Sequence, residues 1–294
     1  CKDLPVLSDQ LKENLRMLGE ILGPSTDIIK REFQFGFEDK MNGALLIIDG
    51  LANRDIIDLG LMKPLMYDAN LFSKKDANVA DIDFISNIVI ATSDVKKVKK
   101  VQDVLDELLS GSTIFLLDGS DTALVINERK WQQRGVSEPD TGRVVRGPRE
   151  GFTETLRVNT AMLRRKIKNP NLTFESMKIG IQTRTDVSIA YLKGVVNEDL
   201  VEEIKKRLNS IKMDAILESG YVEAFIEDNP YSLFTTVGNS EKPDTIAAQI
   251  LEGRVAIFID GTPFVLTAPM LFIEHFQSAE DYYMRTFFSS FLRI

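Results

Sequence analysis

Leu11, Leu15, Leu18 and Leu22 recur at spacings of four, three and four residues, which lines them up on one face of a helix, with Ser8 in front as a candidate cap. The run "ALLIIDG" (44–50) is continuous and apolar and stops at Gly50, the mark of a short buried strand. "RDIIDLGLMKPLM" then reads as helix up to Pro64, since a proline disfavours helical backbone at the residue before it. "ISNIVIAT" (85–92) predicts another strand. In "VKKVQDVLDELLSG" the positions Val98, Val101, Leu105 and Leu108 form the apolar face of an amphipathic helix that Gly111 ends. "GSTIFLLDGSDTALVI" (111–126) is strand, turn and strand.

The second half repeats this order. "SIAYLKG" (188–194) is a strand ending in Gly, and "VVNEDLVEEIKKRLNSI" carries it into a helix. "IIDGLANRDII" (47–57) aligns with "YLKGVVNEDLV" (191–201) at an offset of 144, and "GSTIFLLDG" aligns with "GRVAIFIDG" at an offset of 142. Two matches in the same order at nearly equal offsets indicate a tandem duplication. The pattern predicts an α/β fold of two related lobes, each a small mixed sheet flanked by helices, on the two-lobe plan of solute-binding proteins. Asp118-Gly119 and Asp260-Gly261 read as hairpin turns, because both residue types tolerate positive φ; a carboxylate role is the alternative. Asp49 aligns with Lys193, which argues against a shared catalytic acid.

"RKWQQRGVSEPDTGRVVRGPREGF" is polar and rich in Gly and Pro, and reads as a linker. The expected organisation is a first lobe over 1–135, a linker over 136–151, a second lobe over 152–272 and a membrane-proximal segment over 273–294. "TETLRVNTAMLRRKIKNP" is a further helix, with Phe152, Leu156, Leu163 and Ile167 as core candidates. Between 143 and 168 stand eight basic residues (Arg143, Arg146, Arg149, Arg157, Arg164, Arg165, Lys166, Lys168) against Glu150 and Glu154. That stretch is either a solvated helix face or a contact surface for an anionic partner, lipid headgroup or subunit.

Composition narrows the function. The 294 residues are 44% hydrophobic and 27% charged, enough for a sizeable core. The net charge of −8 argues against general nucleic-acid binding. One cysteine, Cys1, and one histidine, His275, exclude an internal disulfide and Cys- or His-rich metal sites. The start at Cys1 reads as a fragment, and no apolar run approaches the roughly 18 residues of a membrane helix. There is neither a G-x-x-x-x-G-K-[ST] nor a G-x-G-x-x-G loop, and a nucleophile–base pair would have to use His275. Glu202 and Glu203 belong to a helix face with i,i+4 partners Lys206 and Arg207. No catalytic constellation, cofactor or metal is expected, and the chain does not read as an enzyme.

"VVRGPREGF" (144–152) places two Arg, two Gly and a Pro at the junction of the halves, and "IEDNPYS" (226–232) is an acidic turn. A cleft between two lobes is a common place for a small ligand. The binding candidates are Arg146, Arg149, Glu150 and Arg184, near the strand ends at Gly50 and Gly194. Arg suits a carboxylate and Glu an ammonium, with weak affinity expected. The alternative is that Arg146 and Arg149 are structural ion pairs tying the lobes together.

The stretch "VVRGPREGFTETLRVNTAMLRRKIKNPNL" resembles the N-terminal domain of the A subunit of spore nutrient-germinant receptors, the GerA family. So do "DAILESGYVEAFIEDNPYS", "ILEGRVAIFIDGTPFVL" and "QSAEDYYMRTFFSSFLRI", and the likeness runs from about Phe33 onward. The resemblance implies a receptor with B and C subunits in the inner membrane of dormant spores, responding to amino acids or sugars. It also implies that a membrane-embedded region follows residue 294, which agrees with the aromatic, Arg-flanked "YYMRTFFSSFLRI". It supplies no catalytic residues. Two roles are implied: a sensing module that holds a nutrient, or an assembly module that joins B, C or other A subunits.

Overall fold

The computed structural model describes residues 4–36, 40–67, 82–86, 94–128, 150–216, 218–228 and 234–272. The chain divides into two compact units, Cys1–Gln132 with Lys168–Pro170 and Gln133–Ile167 with Asn171–Ile294. Residues 136–149 of the linker expected over 136–151, and the segment 273–294, lie outside the described residues.

The first unit starts with α1 (Leu11–Leu22), whose four leucines are all buried. Strands β1 (Ile28–Phe35) and β2 (Met41–Ile48) pair antiparallel over eight positions. A helical stretch follows in three pieces, α2 (Arg54–Ile57), a π-helical turn (Asp58–Met62) and α3 (Lys63–Met66), with a single turn α4 (Ile82–Phe84) beyond. Then come β3 (Val95–Val98), α5 (Val101–Leu109), β4 (Thr113–Leu117) and β5 (Ala123–Ile126). The sheet order is β1-β2-β4-β5-β3.

The second unit contains α6 (Leu156–Lys166), β6 (Leu172–Ile179), β7 (Thr185–Leu192), α7 (Glu198–Ser210) and α8 (Ser219–Ile226). It closes with β8 (Gly238–Ser240), α9 (Pro243–Leu251), β9 (Val255–Ile259) and β10 (Val265–Ala268). Its order is β6-β7-β9-β10-β8, the order of the first unit with every strand replaced by its counterpart. Strand β7 starts 144 residues after β2, and β9 and β10 start 142 after β4 and β5. The duplication read from the offsets is therefore a duplication of topology.

The central strands of each sheet are buried on both faces, which is why they are apolar without alternation. In the second unit Val187, Ile189, Val255, Ile257, Ile259 and Leu266 join one core with α7 and α8. Their neighbours Ala190, Leu192, Ala256, Phe258 and Val265 point the other way, into a core with Phe152, Leu163 and Ile167 from the α6 segment and Ile246 and Ile250 from α9. In the first unit Leu45, Phe115, Leu117, Leu124 and Ile126 pack against Ile57, Leu61 and Leu65 in the counterpart of the first of these cores.

Four expectations are corrected. All recorded strand pairs are antiparallel, so the sheets are not mixed in direction although the two-lobe α/β plan holds. Ile85 and Ser86 are helical rather than the start of a strand, and the rest of 85–92 lies outside the described residues. Val98 closes β3 opposite Ala123 instead of opening the helix. The helix at 54–66 passes Pro64 rather than ending there. Proline has no N–H to give to Gly60 and its ring crowds that carbonyl. The π-turn accommodates it, with Lys63 N–H donating five residues back to the Asp58 carbonyl. The matching helix α7 has no proline and stays regular over its thirteen residues.

Candidate functional site

The two Asp-Gly turns are the most closely repeated polar feature. Gly119 and Gly261 take φ of +87° and +93°, as a hairpin turn of this kind requires. The preceding carboxylates have a further role. Asp118 Oδ1 accepts the N–H of Leu11 at 3.0 Å, and Asp260 Oδ1 accepts that of Leu156 at 2.9 Å. Each caps the first helix of its own unit from a turn more than 100 residues away in sequence. Gly119 N–H donates to the Asp9 carbonyl and Gly261 N–H to the Glu154 carbonyl, both at 2.8 Å.

A buried asparagine completes each arrangement. Asn14 accepts from Ser8 N–H at 2.8 Å and donates to the Ser8 carbonyl at 2.7 Å. Asn159 does the same with Thr153, at 2.8 and 2.6 Å. Ser8 thus turns the chain into α1 but does not cap it, since its hydroxyl accepts from Gln10 N–H while Leu11 is taken by Asp118. The sequence carried this signal unnoticed: Ser8-x-x-Leu11-x-x-Asn14 recurs as Thr153-x-x-Leu156-x-x-Asn159.

The binding candidates are not all brought together. Arg146 and Arg149 lie outside the described residues. Glu150 pairs with Arg165 at 3.0 Å and with Lys166 at 3.6 Å, beside the last turn of α6. Lys166 also pairs with Asp244. Arg184 is exposed in the β6–β7 connection, with φ of +46°. It stands two residues before Asp186, whose carbonyl accepts from Asp260 N–H, and Asp260 caps the first turn of α6. Glu150 and Arg184 are therefore at opposite ends of a helix about 16 Å long. The connection holding Arg184 is pinned by Ile181 N–H to the Met213 carbonyl and Gln182 N–H to the Asp214 carbonyl, both at 2.8 Å. Gly50 and Gly194, two residues past the ends of β2 and β7, have φ of +85° and +83°.

The basic stretch is not a uniformly solvated face. Arg164 is 0% exposed and lies over the Phe174 ring at 5.1 Å, an environment that sequence periodicity did not reveal. Several charges elsewhere in the second unit are paired. Arg207 on α7 binds Glu203 at 2.8 Å and Asp228 at 2.7 Å and donates to the Ile226 carbonyl, so a cation closes the end of α8. Glu202 pairs with Lys205 at 3.0 Å rather than with Lys206, and Lys206 pairs with Glu203 at 3.6 Å. Tyr191 donates to Glu175 at 2.5 Å, and its hydroxyl pKa is raised, first by burial and then by that carboxylate. Among the described residues no group of His, Cys, Asp and Glu is arranged to hold a metal ion.

Comparison with known proteins agrees with the fold. The family model described as Bacillus/Clostridium GerA spore germination protein matches residues 16–294. Spore germination protein KA of Bacillus subtilis (strain 168) is 41% identical over 294 residues, all of this chain and 53% of that protein. The uncharacterized membrane protein YfkQ of the same organism is 40% identical over 293 residues, 99% of this chain and 55% of that protein. The crystal structure of the N-terminal domain of the A subunit of the Bacillus megaterium spore germinant receptor GerK3 matches with a TM-score of 0.69 and 37% identity, over 92% of this chain and 99% of that one. The chain spans about half the length of the curated relatives it matches. It belongs to the GerA family of spore germination proteins, and its fold is that of an A-subunit N-terminal domain. No helix among the described residues is long and apolar enough to cross a membrane.

Proposed function

We propose that this domain takes part in nutrient sensing and in passing the signal within a germinant receptor of the spore inner membrane, working with B and C subunits. The observation that supports this most is the likeness to the GerK3 A-subunit domain, extended over nearly the whole chain. The duplicated build is consistent with the reading. The second unit carries a core on each face of its sheet, the first packs its sheet on a core of its own, and each has its own carboxylate cap, so each can respond to a ligand as one body. The nutrient is an amino acid or a sugar, bound weakly, and Arg146, Arg149, Glu150 and Arg184 remain the candidates for contact or for holding the lobes. Since Glu150 and Arg184 are apart, one nutrient contacts at most one of them.

The test is a spore whose receptor carries Arg146→Ala or Arg149→Ala, scored for germination and for receptor level. Weaker response to nutrient at normal receptor level supports the sensing role. Unchanged germination at normal level contradicts it. A second reading, an assembly module that contacts the other subunits without binding nutrient, is favoured by the exposed apolar side chains on the outer side of α8.

A further inference from the structure

Helix α8 buries Val222 and Ile226 against the sheet and turns Tyr221 and Phe225, one turn apart, outward at 43% and 44% exposure. The segment after it brings further apolar side chains near the end of this helix. Asp228 N–H reaches Thr236 Oγ1 at 3.5 Å, and Met270 N–H donates to the Thr236 carbonyl at 2.8 Å. These bonds bring Phe234, Leu271 and Phe272 beside the end of α8, at 45%, 52% and 60% exposure. The rings of Phe234 and Phe272 meet edge to face at 4.7 Å. Five large side chains left about half open expose on the order of 400 Å² of apolar surface, the scale of an interaction patch.

The same helix carries carboxylates without a cation beside them among the described residues. Glu218, Glu223 and Glu227 have no ion-pair partner among the described residues, whereas Glu175, Glu202 and Glu203 on the neighbouring β6 and α7 are each paired with a Lys or Arg. Glu223 and Glu227 are like charges one turn apart, an unfavourable arrangement on a lone helix. An anionic bilayer surface is repelled by these carboxylates. A polypeptide with Lys or Arg beside its apolar side chains is attracted.

We propose that the outer face of α8, with Phe234, Leu271 and Phe272, is a docking surface for an amphipathic helix of a partner polypeptide whose apolar side chains are flanked by Lys or Arg. The Tyr221–Phe225 ridge packs between the side-chain rows of that helix, and Glu218, Glu223 and Glu227 face its cations. The proposal holds whether or not the domain binds a nutrient.

The test measures binding of a fluorescein-labelled amphipathic helical peptide of Leu and Lys, and of its Leu and Glu counterpart, to the purified chain by anisotropy. Tyr221→Ser with Phe225→Ser, and Glu223→Lys with Glu227→Lys, should each weaken the Leu/Lys peptide about tenfold. The charge-reversed variant should gain affinity for the Leu/Glu peptide. Glu13→Lys with Glu198→Lys, two exposed carboxylates elsewhere, should change neither. If the serine variant does not fold, the charge-reversed variant with the swapped peptide decides alone. Equal weakening by the control pair would mean attraction to net charge only and overturns the proposal. So does insensitivity to both α8 variants. Sedimentation with phosphatidylglycerol vesicles that Phe225→Ser abolishes, without specific peptide binding, would make the face a lipid contact instead.

Discussion

Asp118 Oδ1 holds the backbone N–H of Leu11 at 3.0 Å, joining the turn between β4 and β5 to the first residue of α1. One carboxylate thus sets where a helix begins and where a hairpin sits. Asp260 and Leu156 repeat the relationship at 2.9 Å. An N–H at a helix start that loses its acceptor costs about 1 kcal/mol. Asp118→Ala and Asp260→Ala should each lower stability by about that amount, and Asn in either place should cost less because an acceptor oxygen remains. Urea unfolding of the single variants checks this.

Gly119 has φ of +87° and open space where a Cβ would stand. The cost of a side chain there is therefore backbone strain and not a clash. Gly119→Val should destabilise by about 1 kcal/mol or more, and Gly119→Asn, which tolerates positive φ, by less. The same comparison at Gly261 should give the same ranking in urea unfolding.

Arg207 joins α7 to the end of α8 through Glu203, Asp228 and the Ile226 carbonyl. Arg207→Ala should speed hydrogen exchange of the α8 amides more than those of β9. The Glu203 pKa is lowered, first by its bond to Arg207 and then by Lys206. A carboxylate with a lowered folded pKa stabilises above its ordinary pKa, and the contribution fades as pH falls through the folded value. Wild type should therefore lose more stability on acidification below the carboxylate range than Glu203→Gln does.

Glu223 behaves in the opposite sense. Its pKa is raised, first by burial and then by Glu227, while Asn239 opposes the shift. A carboxylate with a raised folded pKa favours the fold when protonated and loses that contribution as pH rises through the folded value. Glu223→Gln should raise the melting temperature at neutral pH and leave it nearly unchanged in acid. A lower melting temperature at neutral pH would mean that the charge is compensated.

The duplicated plan was legible because buried strands and Asp-Gly turns are local signals, repeated at constant offset. The helix through Pro64 was not, because the π-turn that rescues it depends on a bond from Lys63 back to Asp58 that no propensity encodes. Val98 carries an apolar side chain that fits either a strand or a helix face, and its pairing with Ala123 decides. Arg164 looked like one more surface cation, and only the packing on Phe174 makes it a core residue. The separation of Glu150 from Arg184 is not legible in the sequence, because residue type and nearness to the junction do not say which end of α6 each occupies.

Participation in nutrient sensing is tested most directly by titrating the isotope-labelled chain with a panel of amino acids and sugars while its amide NMR signals are followed. Sensing by this domain should give saturable shifts for at least one nutrient, with a Kd of about a millimolar, equivalent to some 4 kcal/mol. Those shifts should include Glu150 and its neighbours or the 180–184 connection that holds Arg184. Amides that stay in place with every nutrient at tens of millimolar would contradict sensing by this domain and leave assembly as its role.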